Sequence, residues 1–186
     1  MKREIDVAAR NWRPSPLAGP LFLVTTVNAQ GWTNVAPKSL VSFITVSPPR
    51  IVVGCNRGHH TAQNLLASGE CVLNLPNDGL ASRVWAAAEP REPAPDEVEA
   101  RGFTPIPALR VRPPRLAECT AHIECRLEGV QWYGDECALI LGVVAASADA
   151  AACDAEDPYA VLRPIFFLAP GIFGTIREGR PVAQRA

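Results

Sequence analysis

The sequence lacks the features that mark several familiar classes of protein. No apolar run approaches the roughly 20 residues that a membrane-spanning helix needs. The N-terminal stretch, MKREIDVAARNW, has no apolar core of signal-peptide length. The 18 Lys and Arg residues are scattered and the formal net charge is -1, so no basic face is available to neutralise nucleic-acid phosphates. We therefore expect a cytoplasmic protein that binds neither membrane nor nucleic acid.

Motifs for catalysis by side chains are also absent. The sequence has no G-x-S-x-G nucleophile elbow, no Walker-type loop and no G-x-G-x-x-G followed by a helix. Only three histidines are available as general bases, and two of them are adjacent. No catalytic residue can be assigned on this basis. If the protein is an enzyme, we expect a bound cofactor to carry the chemistry.

Six cysteines are dispersed along the chain, mostly in apolar, strand-like runs. No C-x-x-C pair is present, and the nearest approach to a metal motif is CTAHIEC. On a strand, Cys119 and Cys125 would lie about 20 Å apart on one face, with His122 on the other. The sequence therefore predicts buried free thiols that act as small hydrophobic residues, and no metal site.

The 186 residues suit one domain, and the pattern along the chain is mainly β. Runs rich in Val, Ile, Thr and Phe predict an antiparallel meander of three strands at 21–27, 33–46 and 50–56. Further strands are predicted at 70–76, from 119, at 137–147 and finally at 163–170. Six or seven strands with one or two short helices favour a small β-barrel decorated by helices.

Two of the later strands carry specific predictions about burial. Apolar and polar residues alternate from Cys119 to Glu128, which predicts one buried face and one solvent face with His122 and Glu124 on the latter. Residues 137–147 are almost continuously apolar, which is typical of a strand buried on both faces. The polar tail after Arg177 is expected to fray.

Short helices are predicted at two places. Residues 62–67 suit a helix that begins near His60 or Thr61 and stops at Ser68-Gly69. A second helix is predicted at 80–89, where Leu80, Val84 and either Ala87 or Ala88 share one face. Seven of the 18 prolines then fall within 89–115, which favours an ordered excursion or lid, with a linker as the alternative.

A polar cluster of Arg57, His59, His60 and Thr61 precedes the first helix. A helix start presents unpaired backbone N–H groups and a positive dipole end, and basic side chains add donors and charge. This combination is typical of an anion site, most naturally for phosphate. The alternative is a capped surface helix with ordinary solvated charges.

The strand before this cluster contains NVAPKS. Pro37 cannot donate to a sheet ladder, so the chain here should lie at an edge or bulge and leave nearby backbone groups free for a ligand. Lys38, Ser39 and Ser42 add polar side chains. A flat heteroaromatic ligand with a phosphate tail could use the free backbone at one end and the helix start at the other.

The order of these segments resembles the flavin reductase-like, FMN-binding split-barrel family. The resemblance rests on LFLVTT, NAQGWTNVAPKSLVSFITVSPPRIVVGC and HHTAQNLLASGECVLNLP, which contain the family's N-x-A-P-x-S strand, PP turn and T-x-x-N helix start. It is strong from Pro14 to Pro76 and weaker to about residue 175. It implies one domain over residues 1–186, with a core at about 14–176 and the proline-rich excursion at 89–115.

The resemblance also implies a homodimer of split β-barrels that holds FMN near the subunit interface. The residues it assigns to the flavin ring and ribityl chain are Asn34, Ala36, Pro37, Lys38 and Ser39, with Ser42 close by. The residues it assigns to the phosphate are Arg57, His59, His60 and Thr61. Asn64 and Asn74 also match family positions, either as ligand contacts or as structural residues.

The implied activity is that of an FMN-dependent oxidoreductase, which transfers hydride or electrons between NADH or NADPH and flavin, or from bound flavin to another acceptor. Many reductases of the family carry a G-D-H motif, whereas this chain has Gly134, Asp135 and Glu136. A carboxylate cannot replace imidazole as a neutral or cationic partner for nicotinamide, which puts the pyridine-nucleotide specificity in question. The alternatives are a non-catalytic, flavoredoxin-like FMN carrier that acts with a protein redox partner, and a flavin-free scaffold.

Overall fold

A computed structural model describes Arg3 and residues 17–179 of the chain. Within the described residues the strands are β1 (Gly19–Pro20), β2 (Phe22–Val27), β3 (Thr33–Lys38), β4 (Val41–Val46), β5 (Pro49–Asn56), β6 (Glu70–Leu75), β7 (Pro105–Ile106), β8 (Arg115–Leu116), β9 (Ala121–Tyr133), β10 (Glu136–Ala148), β11 (Ile165–Ala169) and β12 (Ile172–Thr175). The helices are α1 (His60–Ser68), α2 (Ala81–Ala86), α3 (Glu97–Ala100), α4 (Ala150–Asp154) and α5 (Pro158–Leu162), with a 3-10 turn at Asp78–Leu80. This confirms the predicted mainly β, single-domain fold.

Seven strands form the central antiparallel sheet, in the order β3-β2-β6-β9-β10-β5-β4. The strands β3 and β4 lie at opposite ends of this order, although only Ser39 and Leu40 separate them in the chain. Because the connection is so short, the two edges must approach each other, and the sheet curls into a split barrel. The backbone N–H of Gly54 in β5 donates to Leu40 O at 2.7 Å, which ties this bend to the barrel wall.

Because of this bend, two predictions are wrong: residues 33–46 do not form a single strand, and the first strands do not form a three-stranded meander. The strands pair instead as two hairpins, β2 with β3 and β4 with β5. Local sequence carries no strong turn signal at Ser39 and Leu40, so the pattern alone could not locate the break. The approach of another segment fixes it: a Cβ on Gly19 would lie 2.2 Å from Ser39 O, so β1 can pass the bend only without a side chain.

Two apolar clusters hold the fold together. One packs α1 against the sheet through residues such as Val24 and Leu65. The other packs α2 and β11 against β2 and β3 through residues such as Leu23 and Ile165. Leu23 and Val24 are consecutive in β2 and therefore point to opposite faces, so this strand is buried on both sides. The prediction of buried free thiols is confirmed for five cysteines, whereas Cys153 is exposed.

The prediction of a solvent face on β9 is wrong at its N-terminal end. His122 and Glu124 are only 8% and 1% exposed. The proline-rich segment covers them, and the Glu124 carboxylate accepts backbone hydrogen bonds from Leu109 N at 2.7 Å and Arg110 N at 2.6 Å. A carboxylate can be buried when charge-assisted hydrogen bonds replace its water shell.

Burial on both faces is also wrong for β10. Its residues Cys137, Leu139 and Leu141 are buried, while the residues between them are more exposed, so one face alone meets the core. The strand predicted at 163–170 is present as β11, but it is not the final one. A further strand, β12, follows it, which the sequence pattern did not indicate. The predicted frayed tail falls largely on residues 180–186, which lie outside the described residues, as does most of the N-terminal stretch.

Both predicted helices are confirmed. The first begins at His60 with His59 as its N-cap, slightly earlier than predicted. It ends at Ser68, and its C-cap Gly69 has the left-handed φ of 73° that glycine adopts without strain. The second is α2, with Leu80 and Val84 buried as the spacing predicts; of the two alanines that the spacing allowed, Ala87 is buried and Ala88 is exposed. Among the described residues, no helix is both long and apolar enough to cross a membrane.

Candidate functional site

A cavity of about 560 Å³ lies beside the edge strand β3. Its inner wall consists of residues 34–38 of β3 and residues 58–61 at the start of α1. Its outer wall consists of residues 87–92 after α2, together with Glu97 and Arg101. A cavity of this size is typical of sites for small ligands and cofactors.

Strand β3 supplies the inner wall because it ends the sheet on this side. The prediction that Pro37 lies at a sheet edge is confirmed. Residues Asn34, Ala36 and Lys38 alternate along β3 and therefore share one face. That face meets the start of α1, where Asn34 Nδ2 donates to Thr61 Oγ1 at 3.5 Å and Lys38 Nζ lies 3.3 Å from His59 Nδ1.

The start of α1 presents unpaired donors to the cavity. Its N-cap, His59, makes no side-chain capping bond, and its first turn contains no acidic residue. Within the described part of the chain, the backbone N–H groups of His60 and Thr61 have no hydrogen-bond partner, and the first paired N–H of the helix is that of Ala62. Two free N–H groups, the positive end of the helix dipole and the Lys38 ammonium together favour an anion here.

His59 is a neutral neighbour of Lys38 at the start of α1. Burial and the neighbouring Lys38 ammonium lower the pKa of His59, so its imidazole is neutral at pH 7 and its Nδ1 can accept a hydrogen bond from Lys38. Behind it, Cys55 Sγ lies 3.7 Å from the same nitrogen. Burial raises the pKa of the Cys55 thiol, which therefore stays protonated at neutral pH. The two side chains beside Lys38 are thus both uncharged at neutral pH.

Arg101 fixes the outer wall of the cavity. Its Nε donates to Glu97 Oε1 at 3.2 Å, and its two Nη atoms donate to Ala86 O at 3.3 Å and Glu89 O at 3.0 Å. One guanidinium therefore joins the end of α2, the chain that follows it and α3. Because a planar guanidinium offers donors in fixed directions, this arrangement sets the shape of the wall.

The structure brings together seven of the ten cofactor-contacting residues that the resemblance implies. The seven that line the cavity are Asn34, Ala36, Pro37, Lys38, His59, His60 and Thr61. Ser39 lies in the bend between β3 and β4, and Ser42 is exposed on β4. Arg57 turns towards the β9–β10 turn, where it donates to Gly134 O at 3.1 Å and lies 4.8 Å from the centre of the Trp132 ring. Its contact with a phosphate stays a prediction.

Three further residues that were singled out from the sequence do not line this cavity. Asn64 Nδ2 donates to Thr26 Oγ1 at 3.1 Å and so braces α1 against β2. Asn74 Nδ2 donates to Leu23 O at 2.9 Å, which joins β6 to β2. Glu136 Oε1 accepts from Asn56 Nδ2 at 3.0 Å, beside the β9–β10 turn. The structural alternatives thus account for the contacts of both Asn64 and Asn74.

Sequence reasoning did not identify the individual residues of the outer wall. It treated 89–115 as a segment that could cover a ligand, but it singled out neither Glu97 nor Arg101. Their spacing of four residues is typical of an ion pair within a helical turn and was the one available signal. The contacts of Arg101 with Ala86 O and Glu89 O involve backbone groups and leave no trace in the sequence.

Comparison with known protein families and sequences gives consistent results. A model of the family described as "Flavin reductase like domain" matches residues 15–163. An uncharacterized protein of Halalkalibacterium halodurans is 33% identical over 119 residues, which cover 61% of this chain and 57% of the relative. An uncharacterized protein of Bacillus subtilis is 26% identical over 172 residues, which cover 86% of this chain and 84% of the relative. The chain thus aligns with little more than half of the first relative.

Three solved structures share the fold. Nitrilotriacetate monooxygenase component B from Bacillus cereus has a TM-score of 0.84 at 23% identity, with 99% of each chain covered. Flavoredoxin of Desulfovibrio vulgaris has a TM-score of 0.83 at 21% identity, with coverage of 99% of this chain and 97% of that one. An FMN-binding protein from Thermus thermophilus, with bound p-hydroxybenzaldehyde, has a TM-score of 0.78 at 17% identity and covers 98% and 100%. At these identities the likeness shows the fold alone.

Proposed function

This chain belongs to the flavin reductase-like domain family, and from that premise we propose that the cavity beside β3 binds FMN. The observation that carries the proposal is the juxtaposition of an edge strand with a helix start whose first N–H groups are unpaired. The edge strand offers free backbone groups to a flat ring, and the unpaired N–H groups of the helix start offer donors to a phosphate. FMN has both groups, joined by a flexible chain.

The walls of the cavity suit this orientation of FMN. Ala36 and Pro37 on the inner wall and Ala87, Ala88 and Pro90 on the outer wall contribute small and apolar groups to the cavity lining, which suits a flat ring. The phosphate would accept hydrogen bonds at the start of α1 and pair with the Lys38 ammonium. The resemblance assigned Lys38 to the ring and ribityl chain, but its position 3.3 Å from His59 favours the phosphate end.

We propose that the protein is an FMN-dependent oxidoreductase that takes hydride from NADH or NADPH. Bound flavin supplies the redox chemistry, and the residues of the chain bind it, orient it and limit the access of water. Membership of the flavin reductase-like family supports this activity. The acceptor of the electrons is either flavin itself or a further molecule.

A second candidate function is an FMN carrier that exchanges electrons with a protein partner. It is favoured by Glu136, which stands where many reductases of the family carry a histidine and which is engaged by Asn56 at 3.0 Å. Such a protein would hold FMN in the same cavity but would lack a productive site for a reduced pyridine nucleotide.

We further propose a homodimer formed through β4. This edge strand exposes Phe43, Ile44 and Val46, and the adjoining Leu40 is exposed as well. A bare strand edge with contiguous apolar side chains is an unusual surface for a monomer, because it invites pairing with another chain. Ser42, which the resemblance assigns close to the flavin, belongs to the same exposed strand and would lie at this interface.

Anaerobic reduction separates the two candidate functions. We expect NADH or NADPH to bleach the visible absorption of bound flavin many times faster with the protein than with free FMN at the same concentration, because the cavity would align donor and flavin. Stopped-flow absorbance measures the rate. Flavin that binds but is not bleached by either nucleotide contradicts the reductase function and leaves the carrier function.

A further inference from the structure

His59 lies at the junction of three elements beside the proposed phosphate position. It is the N-cap of α1 but makes no side-chain capping bond. Its Nδ1 lies 3.3 Å from Lys38 Nζ on β3 and 3.7 Å from Cys55 Sγ on β5. The residue is exposed and lines the cavity, so a ligand there can reach it. His59 is therefore a titratable group between a cation and the proposed anion site.

The groups around the imidazole of His59 set its charge. Partial burial and the Lys38 ammonium lower its pKa, and His60 on α1 adds a smaller contribution in the same direction. The carboxylate of Glu136 on β10 opposes them but weighs less than burial or Lys38. The Cys55 thiol adds no charge at neutral pH, because burial raises its pKa. These surroundings keep the imidazole neutral at pH 7 until an anion binds.

The contact between Lys38 and His59 excludes a proton on Nδ1. The Lys38 ammonium offers only donors, so Nδ1 must be the acceptor and the ring proton must be on Nε2. A protonated imidazole has no acceptor left. Protonation of Nδ1 and the contact with Lys38 are therefore mutually exclusive, and an anion is the kind of group that can accept from both cations at once.

We propose that His59 takes up a proton at Nδ1 as the FMN phosphate binds, and that Lys38 moves from Nδ1 to the phosphate in the same step. This inference rests on the proposed function, in which the phosphate lies at the start of α1. Solvent supplies the proton, and no bond between heavy atoms changes. The bound phosphate then meets two cations, whereas the free protein carries one.

The direction of the resulting pH dependence follows from the charges. A phosphate beside the imidazole favours its protonated form, so the pKa of His59 is higher in the complex than in the free protein. The extra affinity is fully present below the free pKa, which lies under the ordinary value of about 6.5, and it is lost as pH rises through the pKa of the complex. Solvent screening limits the effect, because His59 is exposed.

NMR titration of the imidazole ring signals tests the inference directly, because the chain contains only three histidines, His59, His60 and His122. The signals are followed from about pH 5 to pH 8 in the free protein, with FMN and with riboflavin, which lacks the phosphate. At pH 7 we expect FMN to raise the ratio of imidazolium to imidazole at His59 by roughly three- to tenfold, and riboflavin to leave it within about 1.5-fold. His122, which pairs with Asn74 in the barrel, is the internal control and should titrate identically in all three samples.

Three variants assign the signal and test the contact with Lys38. The responding signal should be absent from His59→Gln and present in His60→Gln. In Lys38→Met, the pKa of His59 in the free protein should rise, because the ammonium that lowers it is gone.

A response to FMN at His60 instead of His59 would overturn the inference, as would equal responses to FMN and riboflavin. An unchanged His59 titration in FMN-bound wild type, or in free Lys38→Met, would also overturn it. If FMN is not retained by the wild-type protein in equilibrium dialysis, the proposed FMN site itself is wrong. Dialysis thus separates failure of the proposed function from failure of the proton linkage.

Discussion

Lys38→Met is expected to weaken FMN binding by about 10- to 100-fold and to change riboflavin binding by less than about threefold. Riboflavin shares the ring and ribityl chain of FMN but lacks the phosphate. Lys38 lies beside His59 at the start of α1, where the N–H groups of His60 and Thr61 are unpaired. Removing the ammonium should therefore cost the phosphate one charge-assisted contact and leave the ring contacts intact.

Fluorescence titration measures both affinities, and two variants complete the comparison. Arg110→Met removes an exposed cation outside the cavity wall and should leave both affinities unchanged. The family resemblance assigns Arg57 to the phosphate, whereas its side chain contacts Gly134 and Trp132. Arg57→Met tests that assignment, which requires a loss of FMN affinity that riboflavin does not share. Equal losses of FMN and riboflavin in Lys38→Met would contradict the placement of the phosphate at α1.

Phe43→Arg is expected to convert a dimer into monomers. The Phe43 side chain is 61% exposed on the edge strand β4, and a symmetric interface would bury it twice. Losing two such side chains costs about 3–6 kcal/mol, which corresponds to a rise of roughly two to four orders of magnitude in the dimer dissociation constant. The introduced guanidinium groups would add a desolvation penalty and mutual repulsion.

Light scattering coupled to size-exclusion chromatography measures this change. Ile172→Arg is a matched control, because Ile172 is also a large, half-exposed hydrophobic residue but lies on β12, in a different sheet from β4. The control should remain dimeric. A wild-type protein that is monomeric at working concentration, or a Phe43→Arg variant that is still dimeric, would contradict the β4 interface. FMN affinity should fall with dissociation if the flavin lies near the interface.

Local chemistry made part of the site predictable from sequence. Pro37 has no N–H to donate, and this alone predicts a sheet edge; β3 is an edge strand. The first helix was also predictable, because its apolar residues and Gly69 are local signals. The cluster of His59, His60 and Thr61 therefore lies at a helix start beside the edge strand, where the sequence suggested an anion site.

Features that depend on distant segments were not predictable in the same way. The bend at Ser39 and Leu40 depends on barrel closure, and it shares its space with Gly19 from another strand. The burial of Glu124 depends on the backbone of Leu109 and Arg110, which a polar residue in an alternating strand does not reveal. The outer wall of the cavity depends in the same way on hydrogen bonds between Arg101 and backbone carbonyls.

The direction of the Arg57 side chain shows the limit of reasoning from a linear motif. In sequence it adjoins the histidines at the start of α1, and charge alone suggests a shared anion. In the fold, the chain reverses between Arg57 and the helix, and the guanidinium lies over Trp132 in a cation–π contact. Lys38, distant in sequence, takes the position beside His59 instead.

Titration of the wild-type protein with FMN and with riboflavin is the decisive measurement for FMN binding in the cavity beside β3. We expect saturable quenching of FMN fluorescence at one FMN per chain, with riboflavin binding roughly 10- to 100-fold more weakly because it lacks the phosphate. Inorganic phosphate should compete with FMN and should leave riboflavin unaffected. Absence of saturable FMN binding would contradict FMN as the ligand of this cavity, and equal affinities for FMN and riboflavin would contradict a phosphate site at the start of α1.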